Sequence, residues 1–130
     1  MQIIVKKFGD EWKVLGLQTE DDYDLPKGRM DSADGGDLFR NACRECYEEC
    51  DISITPKNLL WGSEPIKINH LTIFLAATNQ APRIKRNEKS GIYEHLGADW
   101  LSWEEIENLI SPALLPAIYW AKNIVEDKSL

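Results

Sequence analysis

Three glutamates, Glu45, Glu48 and Glu49, fall in the single run Arg44-Glu45-Cys46-Tyr47-Glu48-Glu49-Cys50. If the run is helical, at about 100° per residue the three carboxylates share an arc about 100° wide. Like charges placed this way repel and weaken a helix unless a cation sits among them. Carboxylate oxygens alone suit a hard divalent ion, Mg²⁺ or Mn²⁺. Arg44 lies one turn from Glu48 and beside the arc. The competing reading is an ordinary solvated acidic face.

The element that must carry these residues is a helix expected over Leu38 to Cys50. Phe39, Ala42, Cys43, Cys46 and Cys50 recur at steps of three, four, seven and eleven, which makes one narrow apolar stripe. The glutamate arc is turned from it by roughly 120°. Three cysteines on one helix invite a zinc reading, but they coincide with the apolar stripe and no fourth ligand is placed nearby. Buried thiols are the better account. The Asp-rich segment upstream is no calcium loop, because the twelfth position from Asp31 is Ala42 where a glutamate is needed.

Around this helix the pattern alternates. Residues 2–8 and 11–18 are rich in Ile, Val, Leu and Trp and flank Gly9-Asp10, which predicts a hairpin. Asp21 to Asp37 reads as loop. Ile52–Ile54 and Leu59–Trp61 are expected as short strands, and His70–Thr78 as a stronger one. Residues 79–97 form a long polar loop, the kind that is usually functional or disordered in a small domain. Asp99–Ser102 is expected as a strand. Ser102-Trp103-Glu104-Glu105 has capping-box spacing and opens a helix. Ser111-Pro112 breaks that helix, and Ala113 to Val125 makes the last one. Trp12, Trp61 and Trp120 are expected in the core. The mixture predicts an α/β fold.

The chain has 130 residues, 43% of them hydrophobic, and a formal net charge of −7 with a pI near 4.8. That size suits one domain over 1–130. Such acidity argues against general nucleic-acid binding, which needs excess Lys and Arg to neutralise phosphates. No apolar run is long enough for a membrane span. The first residues lack signal-peptide order, and the odd number of cysteines suits free thiols, so a cytoplasmic protein is expected. Oligomeric state stays open, with a homodimer among the readings. Arg83, Lys85, Arg86 and Lys89 against Glu88 give the late loop a local charge of +3, a phosphate-capturing patch in an acidic chain. Tyr93 could stack on a nucleobase. The competing reading of each is a solvated loop residue.

Gly28 followed by Arg44-Glu45-Cys46-Tyr47-Glu48-Glu49-Cys50-Asp51-Ile52 resembles the Nudix box, with the Arg-Glu-apolar-any-Glu-Glu core matched in full when Cys46 counts as apolar. The Leu25-Pro26-Lys27-Gly28 turn, the opening hairpin and the Trp100-Leu101-Ser102-Trp103-Glu104-Glu105 segment also fall where Nudix proteins have them. The Gly28-to-Arg44 interval is two residues longer than in the standard box. Gly36 stands at its first glutamate, with Asp34 or Asp37 as substitutes, and Asp51 replaces the late glycine. The resemblance implies an α/β/α sandwich with a mixed curved sheet, and hydrolysis of a phosphoric anhydride in a nucleoside diphosphate-linked substrate. It implies metal ligation by Glu45, Glu48, Glu49 and the backbone carbonyl of Lys27, with Arg44 pairing a glutamate. Glu94 is similar to the loop glutamate that serves as base in some members, with His95 or Glu49 or Glu45 as alternatives. The Leu-Pro-Lys-Gly form resembles the dinucleoside polyphosphate branch. A capped 5′ end, nucleoside triphosphates, ADP-ribose and a non-catalytic nucleotide sensor remain open.

Overall fold

A computed structural model describes residues 1–28, 30, 32–87 and 89–128. Arg29, Asp31 and Glu88 lie outside the described residues, so Glu88's share of the late loop's charge has no structural counterpart here. The hairpin expected at the start forms as β1 (Gln2–Phe8) and β2 (Glu11–Gln18), antiparallel with Val5 opposite Val14. Gly9 takes the positive φ of 63° that closes the turn. A short β3 (Tyr23–Asp24) pairs with the end of β2, inside a segment expected to be loop.

Helix α1 spans Leu38–Cys50, the bounds its periodicity implied. Asp37 caps it by accepting from the Arg40 N–H at 3.0 Å. Asp51 ends it in the left-handed conformation at φ 60°, donating its N–H to the Tyr47 carbonyl.

The expected strands at Ile52–Ile54 and Leu59–Trp61 do not form. Thr55-Pro56-Lys57-Asn58 closes a capped 3-10 turn instead, because Pro56 lacks a ladder donor and pre-sets the helical φ. Ile52 and Ile54 are still buried, so their apolar character reflected core burial without a strand. The strand seen at His70–Thr78 forms as β5 (Leu71–Ala77). It pairs with β4 (Ile66–Ile68), which the sequence reading missed, through a turn at Asn69. The strand expected at Asp99–Ser102 forms as β6 (Gly97–Leu101) along β2. Ser102 completes both halves of its capping box and opens α2 (Trp103–Leu109). After Ser111-Pro112 the last helix, α3, runs Leu115–Lys128.

The sheet is mixed. Its order is β3-β2-β1-β5-β4, β6 also pairs β2, and β1 lies parallel to β5. Alternation along β1 sends Ile3 and Val5 to one face and Ile4 to the other, all three fully buried. Ile3 and Val5 pack with Ile106 of α2 and Ile118, Ala121 and Val125 of α3. Ile4, Leu15, Leu17 and Ala76 pack with Cys46 and Cys50 of α1. Each such side chain contributes about 1.5–3 kcal/mol. A one-residue slip of β1 would exchange both faces, so register is tightly set. The layers are therefore helix, sheet, helices, and the fold is α/β. Trp12, Trp61 and Trp120 are partly buried against this core. Among the described residues no helix is long and apolar enough to cross a membrane.

The left-handed Asp51 yields a direct test. Glycine adopts this φ without a Cβ penalty, and the partly exposed Asp51–Lys85 pair at 3.4 Å is worth less than about 1 kcal/mol, so Asp51→Gly is expected to match or slightly exceed the parent's urea midpoint, whereas Asp51→Val, which cannot relieve the left-handed φ, is expected to lower it.

Candidate active site

The wall of the site is the outward side of α1, and its side chains differ in burial. Glu48 is half exposed and Glu45 largely covered, but Glu49 retains only 9% of its surface. The sequence reading put all three on one arc of the helix without distinguishing their burial. Glu49 is set apart because the 25–28 turn folds over the second half of the helix. There the Lys27 N–H donates to Glu49 Oε2 at 3.0 Å. Burial is the main cause that lifts the Glu49 carboxyl to about 9; the Lys27 N–H opposes it, and Glu45 and Glu94 add to it. Burial also raises Glu45, against the pull of Arg44. Gly28 lies directly against the Glu45 carboxylate, where any Cβ would collide with it. A side chain at Gly28 would therefore displace the Glu45 carboxylate from its contact with Arg44.

Arg44 is the organiser. Its Nε donates to Asp34 Oδ1 at 2.8 Å and its Nη2 to Asp34 Oδ2 at 3.1 Å, and Asp34 is fully buried. Its Nη1 contacts Glu45 at 2.8 Å and Glu48 at 2.9 Å. The hydrogen bond to Asp34 is the leading cause that pushes the guanidinium upward, so it stays charged. Asp34 therefore takes the buried contact to Arg44 in the lengthened loop, and Asp37 serves as the helix cap instead. Asn41 joins the pair, donating to Asp34 Oδ2 at 3.2 Å. Asn41 was not singled out from sequence, although its place one turn before Arg44 was a usable signal.

The late loop supplies the opposite wall. The Arg83 N–H donates to the Cys50 carbonyl at 2.8 Å and the Lys85 N–H to that of Glu49 at 3.4 Å, so residues 83–85 satisfy carbonyls at the end of α1. Ile84 packs into the core beneath it. Asn87 then closes a tight loop. Its side-chain oxygen accepts the N–H groups of Lys89 and Ser90, and its amide donates to Glu94 Oε1 at 2.8 Å. Asn87 was missed from sequence, because its role exists only when Asn87 and Glu94 are brought together by the Arg86–Tyr93 bridge.

These walls bound a cleft of about 450 Å³. Lys27, Arg44, Glu45, Glu48, Glu49 and Glu94 line it, as do Lys85, Arg86 and Lys89. Arg83 is exposed and is not among the lining residues, nor is Tyr93, which is exposed with Arg86 5.4 Å from its ring. Lys27 is also held by Asp24 at 3.1 Å, and Lys85 lies 3.6 Å above the Tyr47 ring. Glu49, Glu94 and His95 offer ligand atoms within 4.8 Å of one another. Burial lowers His95, favouring neutral imidazole. A second compartment of about 570 Å³ shares Lys27, Gly28, Met30, Glu49, Glu94 and His95 with the first and adds Met1, Leu38 and Leu71 beside Asn41, His70 and Thr72. The thiols belong to neither: Cys43 is lifted to about 11 by burial, Cys46 rises through its hydrogen bond with Cys50, and among the described residues none joins a ligand cluster.

No protein-family profile and no curated protein sequence matches the chain significantly. Solved structures do. A C. elegans Ap4A hydrolase superposes with TM-score 0.70 at 17% identity, covering 97% of this chain and 95% of that one. The E. coli dihydroneopterin triphosphate pyrophosphohydrolase gives 0.61 at 22%, covering 94% of each. The NUDIX domain of Shewanella oneidensis NrtR, solved with ADP ribose, gives 0.62 at 16%, covering 94% and 83%. The chain therefore has the α/β/α fold of the Nudix hydrolases, with an acidic cluster in its cleft.

Two outcomes follow from the buried charges. Asp34→Ala leaves Arg44 without its buried partner. Its expected cost is about 2–3 kcal/mol in denaturant unfolding, below the range for fully buried pairs because Glu45 and Glu48 remain. Glu49 has a raised folded-state pKa, so its contribution is complete below its ordinary value of 4.5 and is lost as pH rises through about 9. In chelator, the melting temperature of Glu49→Gln is expected to gain on the parent's across that window; a constant difference would contradict the assignment.

Proposed function

We propose that this chain, taken as one domain over 1–130, is a Mg²⁺-dependent hydrolase of phosphoric anhydride bonds in nucleoside diphosphate-linked substrates, and that its substrate is a dinucleoside polyphosphate. The observation that carries this reading is the pairing of a glutamate cluster on α1 with lysines and arginines across the same cleft. An anhydride carries negative charge that repels an incoming water, so its cleavage needs cations on the phosphates and a base for the proton.

The residues present fit a divalent ion. Their donors are oxygens, their charges are crowded, and burial pushes the Glu49 carboxyl toward its neutral form, an effect that a bound cation would oppose. Glu45, Glu48 and Glu49, with the Lys27 carbonyl, would hold it. When bound, such an ion neutralises phosphate charge and acidifies water. Arg44 fixes the rotamers of Glu45 and Glu48, an outer role. Lys85, Arg86 and Lys89 take the remaining phosphates. Glu94, oriented by Asn87, accepts the proton of the attacking water. Tyr93, outside the lining but beside Arg86, offers an exposed ring on which a nucleobase would stack, whereas Arg83 has no part at the cleft.

The apolar compartment beyond Glu49 favours a substrate with a second bulky end, which supports the dinucleoside reading over a nucleoside triphosphate or ADP-ribose. Reduced thiols suit a cytoplasmic setting.

The test is phosphate or nucleotide release from a panel of dinucleoside polyphosphates, nucleoside triphosphates and ADP-ribose with Mg²⁺. Turnover of the dinucleoside compounds is expected, with kcat falling about a hundredfold or more in Glu49→Gln while the circular dichroism spectrum holds. Unchanged turnover in that variant would overturn the metal assignment. Nucleotide binding without any turnover would point to a sensor on the same fold.

A further inference from the structure

The glutamates of α1 offer oxygen alone, but one face of the site does not. Glu49 faces His95 and Glu94, and one ligand atom from each lies within 4.8 Å of the others. Ligands bound about 2.0–2.2 Å from one ion stand roughly 3–4 Å apart, so small side-chain rotations close the gap. Each carboxylate is already steered from outside. The Lys27 N–H holds Glu49 Oε2 and the Asn87 amide holds Glu94 Oε1, leaving each a second oxygen. His95 is half-buried at the junction of the two compartments.

The imidazole changes the metal chemistry. Mg²⁺ takes oxygen donors and keeps its waters, whereas a nitrogen donor adds affinity for first-row transition ions. We propose that Glu49, Glu94 and His95 form a second cation position, joined to the glutamate arc through Glu49, that selects Mn²⁺, Co²⁺ or Zn²⁺ over Mg²⁺. An ion there would draw the second oxygen of Glu94 into ligation, and its contribution would be to acidify water beside the glutamate arc.

This inference shares residues with the proposed hydrolytic site and rests on the same cleft, but its readout is ligation, so the two fail separately. The chain has only two histidines, His70 and His95, which makes the nitrogen assignable. Untagged full-length protein loaded with Mn²⁺ is examined by pulsed electron paramagnetic resonance for a directly bound imidazole nitrogen. The coupling is expected in the parent, kept in His70→Gln and lost in His95→Gln. By calorimetry, His95→Gln is expected to weaken Mn²⁺ about tenfold or more while Mg²⁺ affinity changes less than about twofold. No nitrogen coupling in the parent, or coupling that survives His95→Gln, overturns the proposal. Glu94 is exposed, so Glu94→Gln serves if His95→Gln fails to fold. It should show the same selective loss of Mn²⁺, and equal Mn²⁺ affinity in that variant also overturns the site.

Discussion

The Glu49 carboxylate is the constraint around which the site is built. It is nine-tenths covered, accepts one backbone N–H, and faces the carboxylates of Glu45 and Glu94. Burying such a group as an anion is costly without compensating charge. Among the described residues no cationic side chain pairs with Glu49, and Arg44 contacts Glu45, Glu48 and Asp34. The 25–28 turn is tied to α1 by the same carboxylate, and Gly28 leaves room for the Glu45 carboxylate where it stands. Charge, backbone and steric fit thus converge on one helix face.

The rest of the architecture presents that face. The stripe of Ala42, Cys46 and Cys50 anchors α1 on Ile4, Leu15, Leu17 and Ala76, which leaves the glutamates toward the cleft. The long 79–97 segment is held without regular structure of its own. It borrows the end of α1 through the Arg83 and Lys85 N–H groups, buries Ile84, and folds on Asn87. A loop tethered at these points can bring Lys85, Arg86, Lys89 and Glu94 to the cleft of an acidic protein. The cations needed for an anionic ligand are local, and net charge says little about them.

The two compartments meet at Glu49, Glu94 and His95 and differ in character. One sets the glutamates of α1 against Lys85, Arg86 and Lys89, and the other adds Met1, Leu38 and Leu71 beside Asn41, His70 and Thr72. A fold supplies the scaffold, and what a site takes is decided by the side chains that line it.

The sequence by itself determined what is local. Helix α1 and both of its ends, the β1–β2 hairpin and the Ser102 capping box depend on periodicity and on neighbours a few residues apart. Tertiary structure decided whatever depends on packing between distant segments. Ile52 and Ile54 have strand-like composition but are buried outside the sheet, after Asp51 turns the chain and before Pro56 removes a donor. Asp34, not Asp37, reached Arg44, because closing the longer loop buries one and leaves the other capping α1. Glu49 looked as exposed as Glu48 on a helical wheel, which does not contain the turn that covers it. Asn87 and Glu94 are seven residues apart, and the contact between them depends on a loop whose path is set by α1 and the core. Periodicity identifies which face a residue shares, while burial and partnership depend on what the fold lays over that face.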